Sequence, residues 1–293
     1  MDGVNGLRVV VTGSSRGIGR AAAVRLGALG ARVVINGTKA SALAETAAAL
    51  EAVGAEYRMV TGSVAEPATA QALIDSAVSA FGGVDAVVNN AGIVRDRTLL
   101  KMSVEEWDDV IAVHLRGAFL VTQAAARAMK ESGGGHILQV VSNSGLAGGF
   151  GQANYAAAKA GMMGLLRTCV LELTRLNIRT NALWPIAETD MTQVVFDRAS
   201  EAAAKAGAEA PSPASLGFGS TDAVAEGLAW LLSNHAAALN GQCLTFNGRK
   251  AALWSHPQEC FEVFSEDPMD GEALTQWLGS TTPQPLARPK MVP

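Results

Sequence analysis

The sequence predicts an α/β fold: a doubly wound parallel sheet of about seven strands with helices on both faces, followed by a C-terminal extension. Three observations carry this expectation. From Leu7 onward, short β-branched runs alternate with longer alanine-rich stretches, the pattern of βαβ units whose crossovers cover both faces of a parallel sheet. A β-run ending at Thr12 passes through Gly13, Gly17 and Gly19 directly into a helix, as phosphate-binding strand-to-helix turns do. The chain has 293 residues, 49% of them hydrophobic, so a single α/β body can bury one large core with nearly all of its length.

The strands are expected at 8–12, 32–35, 57–61, 86–89, 136–141, 178–182 and 243–246. They are short and apolar, as strands buried on both faces should be. Helices are expected at 18–29, 40–53, 67–81, 103–130, 153–176 and 221–233, each long enough for a right-handed crossover. Residues 1–248 read as one dinucleotide-binding and catalytic domain. Within it, 186–220 differs in character. A helical piece over 194–208 runs into Pro211-Ser212-Pro213 and a glycine- and serine-containing stretch over 217–220, which reads as a mobile substrate flap.

Residues 249–293 form the extension, richer in proline, tryptophan and acidic residues, with one short helix expected over 270–278 behind Asp270. Trp254, Phe261, Phe264 and Trp277 are expected to pack on a neighbouring subunit or over the flap, or back on their own subunit, since such aromatics seldom stay exposed.

Composition narrows the function. A formal net charge of −4 without Lys/Arg clusters argues against nucleic acid or anionic membrane as the main partner. No leader pattern and no apolar run of membrane-spanning length are visible, so a soluble, cytoplasmic protein is expected. Cys169, Cys243 and Cys260 are widely spaced and form no metal-ligand pattern, so three reduced thiols and no metal are expected.

Two motifs carry chemistry. In "VVVTGSSRGIGRAAA" (9–23) the glycines let the backbone turn tightly and let a pyrophosphate approach the positive end of the helix. Gly13, Ser15, Arg16, Gly17, Ile18 and Gly19 are the candidate contacts. At the end of the second β-run, where a carboxylate would bind free ribose hydroxyls, stand Gly37, Thr38 and Lys39. With Arg16 nearby, this charge pattern favours the 2′-phosphate of NADP(H) and leaves NAD open; a simply solvated Lys39 is the alternative.

In "GQANYAAAKAGMMG" (151–164), Tyr155 and Lys159 are four apart and so share one helix face. An ammonium near a phenol favours the phenolate, lowering a pKa that is otherwise about 10. The competing reading is a buried tyrosine beside a lysine reaching for solvent. Ser142 closes a β-run, where a serine can also simply start a turn.

With TGSSRGIG at 12–19, NNAG at 89–92, Ser142 and YAAAK at 155–159, the chain resembles the short-chain dehydrogenase/reductase family from about Leu7 to Gly248. Within that family it is most similar to 3-oxoacyl-(acyl carrier protein) reductases, through 89–111, 151–161 and 188–192. "HLRG" around His114 is similar to the dehydrogenase part of multifunctional enzyme type 2. The resemblance implies a Rossmann fold, a nicotinamide cofactor, no metal, and a homotetramer or homodimer.

It implies roles as well. Tyr155 would be the catalytic acid/base. Lys159 would lower its pKa and bind the nicotinamide ribose, and Ser142 would hydrogen-bond the reacting carbonyl. His114 stands where most members have an asparagine that acts through its main-chain carbonyl; a histidine making one local hydrogen bond is the alternative. Asn90, Ala91 and Gly92 would line the adenosine side. Ser63, with Val64, replaces an aspartate that contacts adenine. Pro185, Ile186 and Thr189 would meet the nicotinamide carboxamide, with Ile186 replacing the usual glycine and stiffening the flap's hinge.

Just before the fifth strand, Glu131-Ser132-Gly133-Gly134-Gly135 stands where carrier-protein reductases place cations, which weakens steering of an acidic carrier. The expected reaction is therefore NADP(H)-dependent interconversion of a ketone and a secondary alcohol, with a 3-oxoacyl thioester first and a steroid or polyketide ketone second. Leu146, Phe150, Met191, Val194, Val195 and Phe196 are apolar lining candidates. A non-catalytic dinucleotide-binding sensor or scaffold is the alternative of another class.

Overall fold

The computed structural model describes residues 1–257, 262 and 269–280. Seven strands, β1 (Arg8–Val11), β2 (Arg32–Gly37), β3 (Tyr57–Thr61), β4 (Ala86–Asn89), β5 (Gly135–Val140), β6 (Ile178–Pro185) and β7 (Cys243–Phe246), run parallel in the order β3-β2-β1-β4-β5-β6-β7. An eighth, β8 (Ala251–Leu253), closes antiparallel on β7. The sequence expectation of about seven omits β8 because three residues after a turn carry no readable alternation. The first residues of the extension thus join the sheet.

The sheet is sandwiched because its central strands are apolar on both sides; edge strand β3, expected to be buried on both faces, has no buried residue, with Arg58 and Met59 at the surface. Val9, Val11, Val33, Ile35 and Val88 pack toward α1 (Gly17–Ala28), α2 (Ala40–Ala52) and α9 (Thr221–Leu232). Val10, Val34 and Val87, one residue out of phase, pack toward α3 (Pro67–Phe81) and α5 (Gly117–Ser132). This alternation is the period-two geometry of a strand, with both phases buried. A third cluster joins α7 (Ala153–Leu173) to β6, through Met162, Met163, Leu166, Ala182 and Trp184.

The single helix expected over 103–130 is three pieces. α4 (Val104–Ile111) begins with a capping box between Ser103 and Glu106, a π-turn occupies Ala112–Arg116, and α5 follows. One extra residue in a helical turn leaves the apolar pattern almost unchanged and so was invisible in the sequence; such turns frequently sit at functional sites.

The sheet order places loops from β1 and β4 on opposite sides of a crevice at the carboxyl ends of the strands, where open α/β sheets bind ligands. Beyond β6, the segment holding α8 (Gln193–Lys205) leaves the body. Its ends are tied together: Gly219 N donates to Ile186 O at 3.0 Å, Glu188 N to Gly219 O at 2.9 Å, and Ile186 N to Phe246 O at 3.1 Å.

Trp254 packs within its own chain, its ring 5.2 Å from that of Trp184 and its Nε1 donating to Thr245 Oγ1 at 2.7 Å. Phe261 and Phe264 lie outside the described residues. The short helix expected near 270–278 is α10 (Gly271–Ser280), where Asp270 Oδ1 accepts from Ala273 N at 2.9 Å. Among the described residues, no helix is long and apolar enough to cross a membrane.

Leu138 is fully buried in central β5, the strand that leads to Ser142. Leu138→Ala should lower stability by about 2–5 kcal/mol in urea unfolding, the range for emptying a leucine site in a close-packed core. A loss below about 1 kcal/mol would show that the sheet centre can collapse around the gap.

Candidate active site

The phosphate loop forms because its glycines admit what no other residue could. Gly13 (φ +63°) and Gly17 (φ +55°) are in the left-handed region. A Cβ on Gly13 would lie 2.6 Å from Ala91 Cα, and one on Gly19 would collide with Gly13 O and the Asn90 amide. The loop therefore presses against the end of β4. Thr12 fixes the contact: its hydroxyl accepts from Asn90 N and Ala91 N, each at 3.0 Å, and Asn90 Nδ2 donates to Thr12 O and Gly13 O at 3.0 Å.

α1 starts behind Arg16 with no side-chain cap and no acid in its first turn. Its N-terminal N–H groups and positive dipole end are left for an anion. A dinucleotide pyrophosphate fits such a helix start, and the candidates Gly13, Ser15, Arg16, Gly17, Ile18 and Gly19 make up this loop and the first turn of the helix.

Other candidates gather along the same sheet edge. Thr38 and Lys39 follow β2, both exposed at the start of α2. Ser63 and Val64 follow β3, and a Cβ on Gly117 would press on Val64 at 2.7 Å. Pro185 and Ile186 end β6, and Thr189 closes a turn with Thr192 through its N–H, 2.9 Å from Thr192 Oγ1. Thr189 Cγ2 faces Gly17, and Asp190 pairs with Arg16 at 3.2 Å, both side chains exposed. The segment after β6 therefore reaches across to the phosphate loop.

Sequence reasoning missed Asn36. It is buried at the end of β2; its Oδ1 accepts from Gly13 N at 3.3 Å, and its Nδ2 donates to Val60 O and Gly62 O at 3.1 Å each. An asparagine one residue before the expected charge reader was the available signal.

Ser142, Tyr155, Lys159 and His114 converge next to this crevice. β5 delivers Ser142 just beyond its end, and α7 presents Tyr155 and Lys159 on one face. Lys159 is 3% exposed and donates from Nζ to Val140 O at 2.6 Å. Its ammonium lies 5.6 Å from the Tyr155 ring centre. The His114 ring, carried by the π-turn, meets Tyr155 edge-on at 5.1 Å. A Cβ on Gly92 would strike the His114 ring, so glycine at 92 is what lets histidine occupy 114.

His114 acts locally through its side chain: Nε2 lies 2.7 Å from Ile93 O and 3.0 Å from Ile93 N. Nδ1 has no partner among the described residues.

Electrostatics here differ from the sequence expectation. Burial pushes the Tyr155 phenol up to about 12, against a lowering from the Ser142 hydroxyl and with a further rise from the Asp96 charge. Burial also brings Lys159 down to about 7. The tyrosine moves in the direction opposite to the lowering expected from the lysine, because desolvation of the phenolate dominates.

Cys169 and Cys243 are buried free thiols, Cys260 lies outside the described residues, and no metal-holding cluster of His, Cys, Asp and Glu occurs among the described residues. Of the apolar candidates, Phe196 is buried against Phe218 at 4.9 Å, Leu146 packs on the third core cluster, and Phe150, Met191, Val194 and Val195 are exposed.

Two imidazoles are held neutral. His114 is pushed down to about 3, first by burial and then by the Lys159 charge, while its bond to Ile93 opposes this. His136 is likewise pushed down to about 3, by burial and then by Arg179. The unfolded chain gains these protons near pH 6.5 and the folded chain does not. Stability should therefore fall as pH drops below about 6.5, by up to about 1.4 kcal/mol per pH unit for each histidine. Urea midpoints between pH 7 and 5, a window above most carboxylate titrations, should show this slope, and His136→Gln should remove about half of it. An unchanged slope in that variant would contradict the assignment.

Comparison with known proteins agrees with this geometry. A family model described as short chain dehydrogenase matches residues 8–200. Hydroxyacyl-CoA dehydrogenase ChsB1 of Mycobacterium tuberculosis is 43% identical over 268 residues, 87% of this chain and 81% of that protein. The 3-oxoacyl-[acyl-carrier-protein] reductase FabG of Escherichia coli is 38% identical over 82% of this chain and 95% of its own length. Peroxisomal multifunctional enzyme type 2 of Mus musculus is 42% identical over 66% of this chain, which matches 27% of that longer protein. A solved short chain dehydrogenase from Mycobacterium avium superposes with a TM-score of 0.80 at 32% identity, over 96% of this chain and 97% of that one. The chain belongs to the short-chain dehydrogenase/reductase family and is an oxidoreductase.

Proposed function

We propose that the protein interconverts a 3-oxoacyl thioester and the 3-hydroxyacyl thioester with NADP(H), and that Ser142, Tyr155 and Lys159 carry the proton chemistry. The observation that carries this reading is the convergence of a half-buried tyrosine, a serine at a strand end and a buried lysine beside the glycine loop. When bound, the coenzyme supplies the hydride. Ser142 offers a hydroxyl to the substrate carbonyl oxygen, stabilising the charge that develops there. Tyr155 gives its proton to that oxygen in reduction and takes it back in oxidation. Lys159 exchanges protons near working pH and holds the helix in place through Val140.

Arg16, Thr38 and Lys39 support the choice of NADP(H): Gly37 brings no carboxylate, and the exposed Arg16 can leave its solvent-screened partner Asp190 for a phosphate. The acyl substrate rests on the names of two relatives, a hydroxyacyl-CoA dehydrogenase and a 3-oxoacyl reductase. Coenzyme A is favoured over a carrier protein as the thioester's anchor. Gly133 turns the chain out of α5 at φ +91°, and after Lys130 in the last turn residues 131–135 bring no cation, while Arg95 and Arg97 beside the cleft pair with Asp109 and Glu106. The enzyme works in the cytoplasm as a homodimer or homotetramer.

Oxidation of NADPH and of NADH, followed spectroscopically against short and long 3-oxoacyl-CoAs, steroids and other ketones, tests this reading. Turnover should be higher with NADPH and with the thioesters. NADPH binding without turnover across the panel would favour a sensor instead. Tyr155→Phe should lower kcat by about 10²- to 10⁴-fold, the usual share of a positioned acid/base, while coenzyme binding measured by fluorescence stays within about twofold of the parent.

A further inference from the structure

The loop after β4 carries an acid that the chemistry above does not use. Asp96 Oδ2 accepts from Gln152 Nε2 at 3.1 Å, and Gln152 Oε1 accepts from Ser144 Oγ at 2.8 Å. Ser144 N then donates to Ser142 Oγ at 3.2 Å. The other carboxylate oxygen, Oδ1, is buried with no partner among the described residues. Room for the chain depends on Gly149, whose Cβ would fall 2.5 Å from Gln152 Oε1 and 3.2 Å from Ser144 Oγ.

The segment is fixed on both sides of Asp96. Arg97 N donates to Gly151 O at 2.8 Å, and Asn154, fully buried, donates from Nδ2 to Arg95 O at 3.1 Å and Glu106 O at 2.9 Å.

We propose that Asp96 is a positioning residue that fixes Gln152 and, through it, seats the Ser144 turn that aims the Ser142 hydroxyl. Donor and acceptor capacity decides how the chain is oriented. An ionised carboxylate only accepts, so it must face the NH₂ end of the Gln152 amide. The amide oxygen then faces Ser144 and fixes that hydroxyl as donor. Held there by Gln152, Ser144 places its backbone N–H, always a donor, on a lone pair of Ser142 Oγ, and the Ser142 proton is directed elsewhere: to Asn143 Oδ1, 3.2 Å away, in this structure, and to a substrate carbonyl during reaction. An amide at 96 can present either a donor or an acceptor, so Gln152 loses its fixed orientation and Ser144 its fixed seat. The Asp96 charge also reaches Tyr155, where it adds to the dominant effect of burial in keeping the phenol protonated. This assignment rests on the roles proposed above for Ser142 and Tyr155.

The test uses the full-length protein with Asp96→Asn, Gln152→Glu and the double variant. In the double variant the pair is exchanged: an amide at 96 donates to a carboxylate at 152, which again only accepts from Ser144. Asp96→Asn should lower kcat by about 10- to 100-fold, the scale of a misplaced catalytic group, with the coenzyme KM and the melting temperature near the parent values. The double variant should recover to within about threefold of the parent.

Crystal structures of Asp96→Asn and the double variant supply a readout that needs no turnover. Ser142 Oγ should move or split between rotamers in the single variant and return in the double. Parent-like kcat in Asp96→Asn, no recovery in the double variant, or an unmoved Ser142 would overturn the proposal. If the parent itself turned over no ketone, the functional reading would fail, and the position of Ser142 in the two structures would still decide what Asp96 does.

Discussion

The buried hydrogen bond from Lys159 Nζ to Val140 O, 2.6 Å long, is the contact on which the site depends. It joins the helix that bears Tyr155 to the end of the strand that delivers Ser142. It also satisfies an ammonium that burial would otherwise make very unfavourable. The same burial that brings this lysine down to about 7 raises the phenol beside it to about 12. One packing event therefore sets both the positions and the proton affinities of the two groups. The close fit of the surroundings enforces it: a Cβ on Gly145 would lie 2.6 Å from the Lys159 carbonyl carbon, so the single turn after Ser142 seats directly on α7.

The remainder of the crevice follows from sheet topology. Seven parallel strands end along one edge, and the order β3-β2-β1-β4-β5 opens a cleft between the glycine loop after β1 and the loop after β4. Thr12 and Asn90 pin the two loops together, while Asn36 holds the phosphate loop from the β2 side. Most polar groups in such a buried seam find partners, whereas the apolar residues Phe150, Met191 and Val194 on the substrate side lie at the surface.

What the sequence made legible was what is local. A β-run followed by three spaced glycines, and a tyrosine and lysine one helical turn apart, each define geometry within a few residues, and the structure places them as that spacing requires. The strands were legible because valine-rich runs buried on both faces have few other solutions.

Features that need the third dimension were not legible. Asp96 and Gln152 are 56 positions apart and meet only because the loop after β4 folds against the start of α7. The π-turn at Ala112–Arg116 inserts a residue without disturbing the apolar pattern, so the helix expected over 103–130 looked continuous. Proximity of Tyr155 to Lys159 can be read from spacing, while the desolvation that pushes the phenol the other way cannot.

The central claim is that burial keeps the proton on Tyr155 and leaves Lys159 as the group that titrates near neutrality. The chain contains two tyrosines, so Tyr57→Phe leaves one, and its ring-carbon NMR resonance can be followed alone through a pH titration. The account predicts that this phenol titrates near pH 12, well above the ordinary value of about 10. A midpoint at or below 10 would show a lysine-dominated phenol and contradict the account.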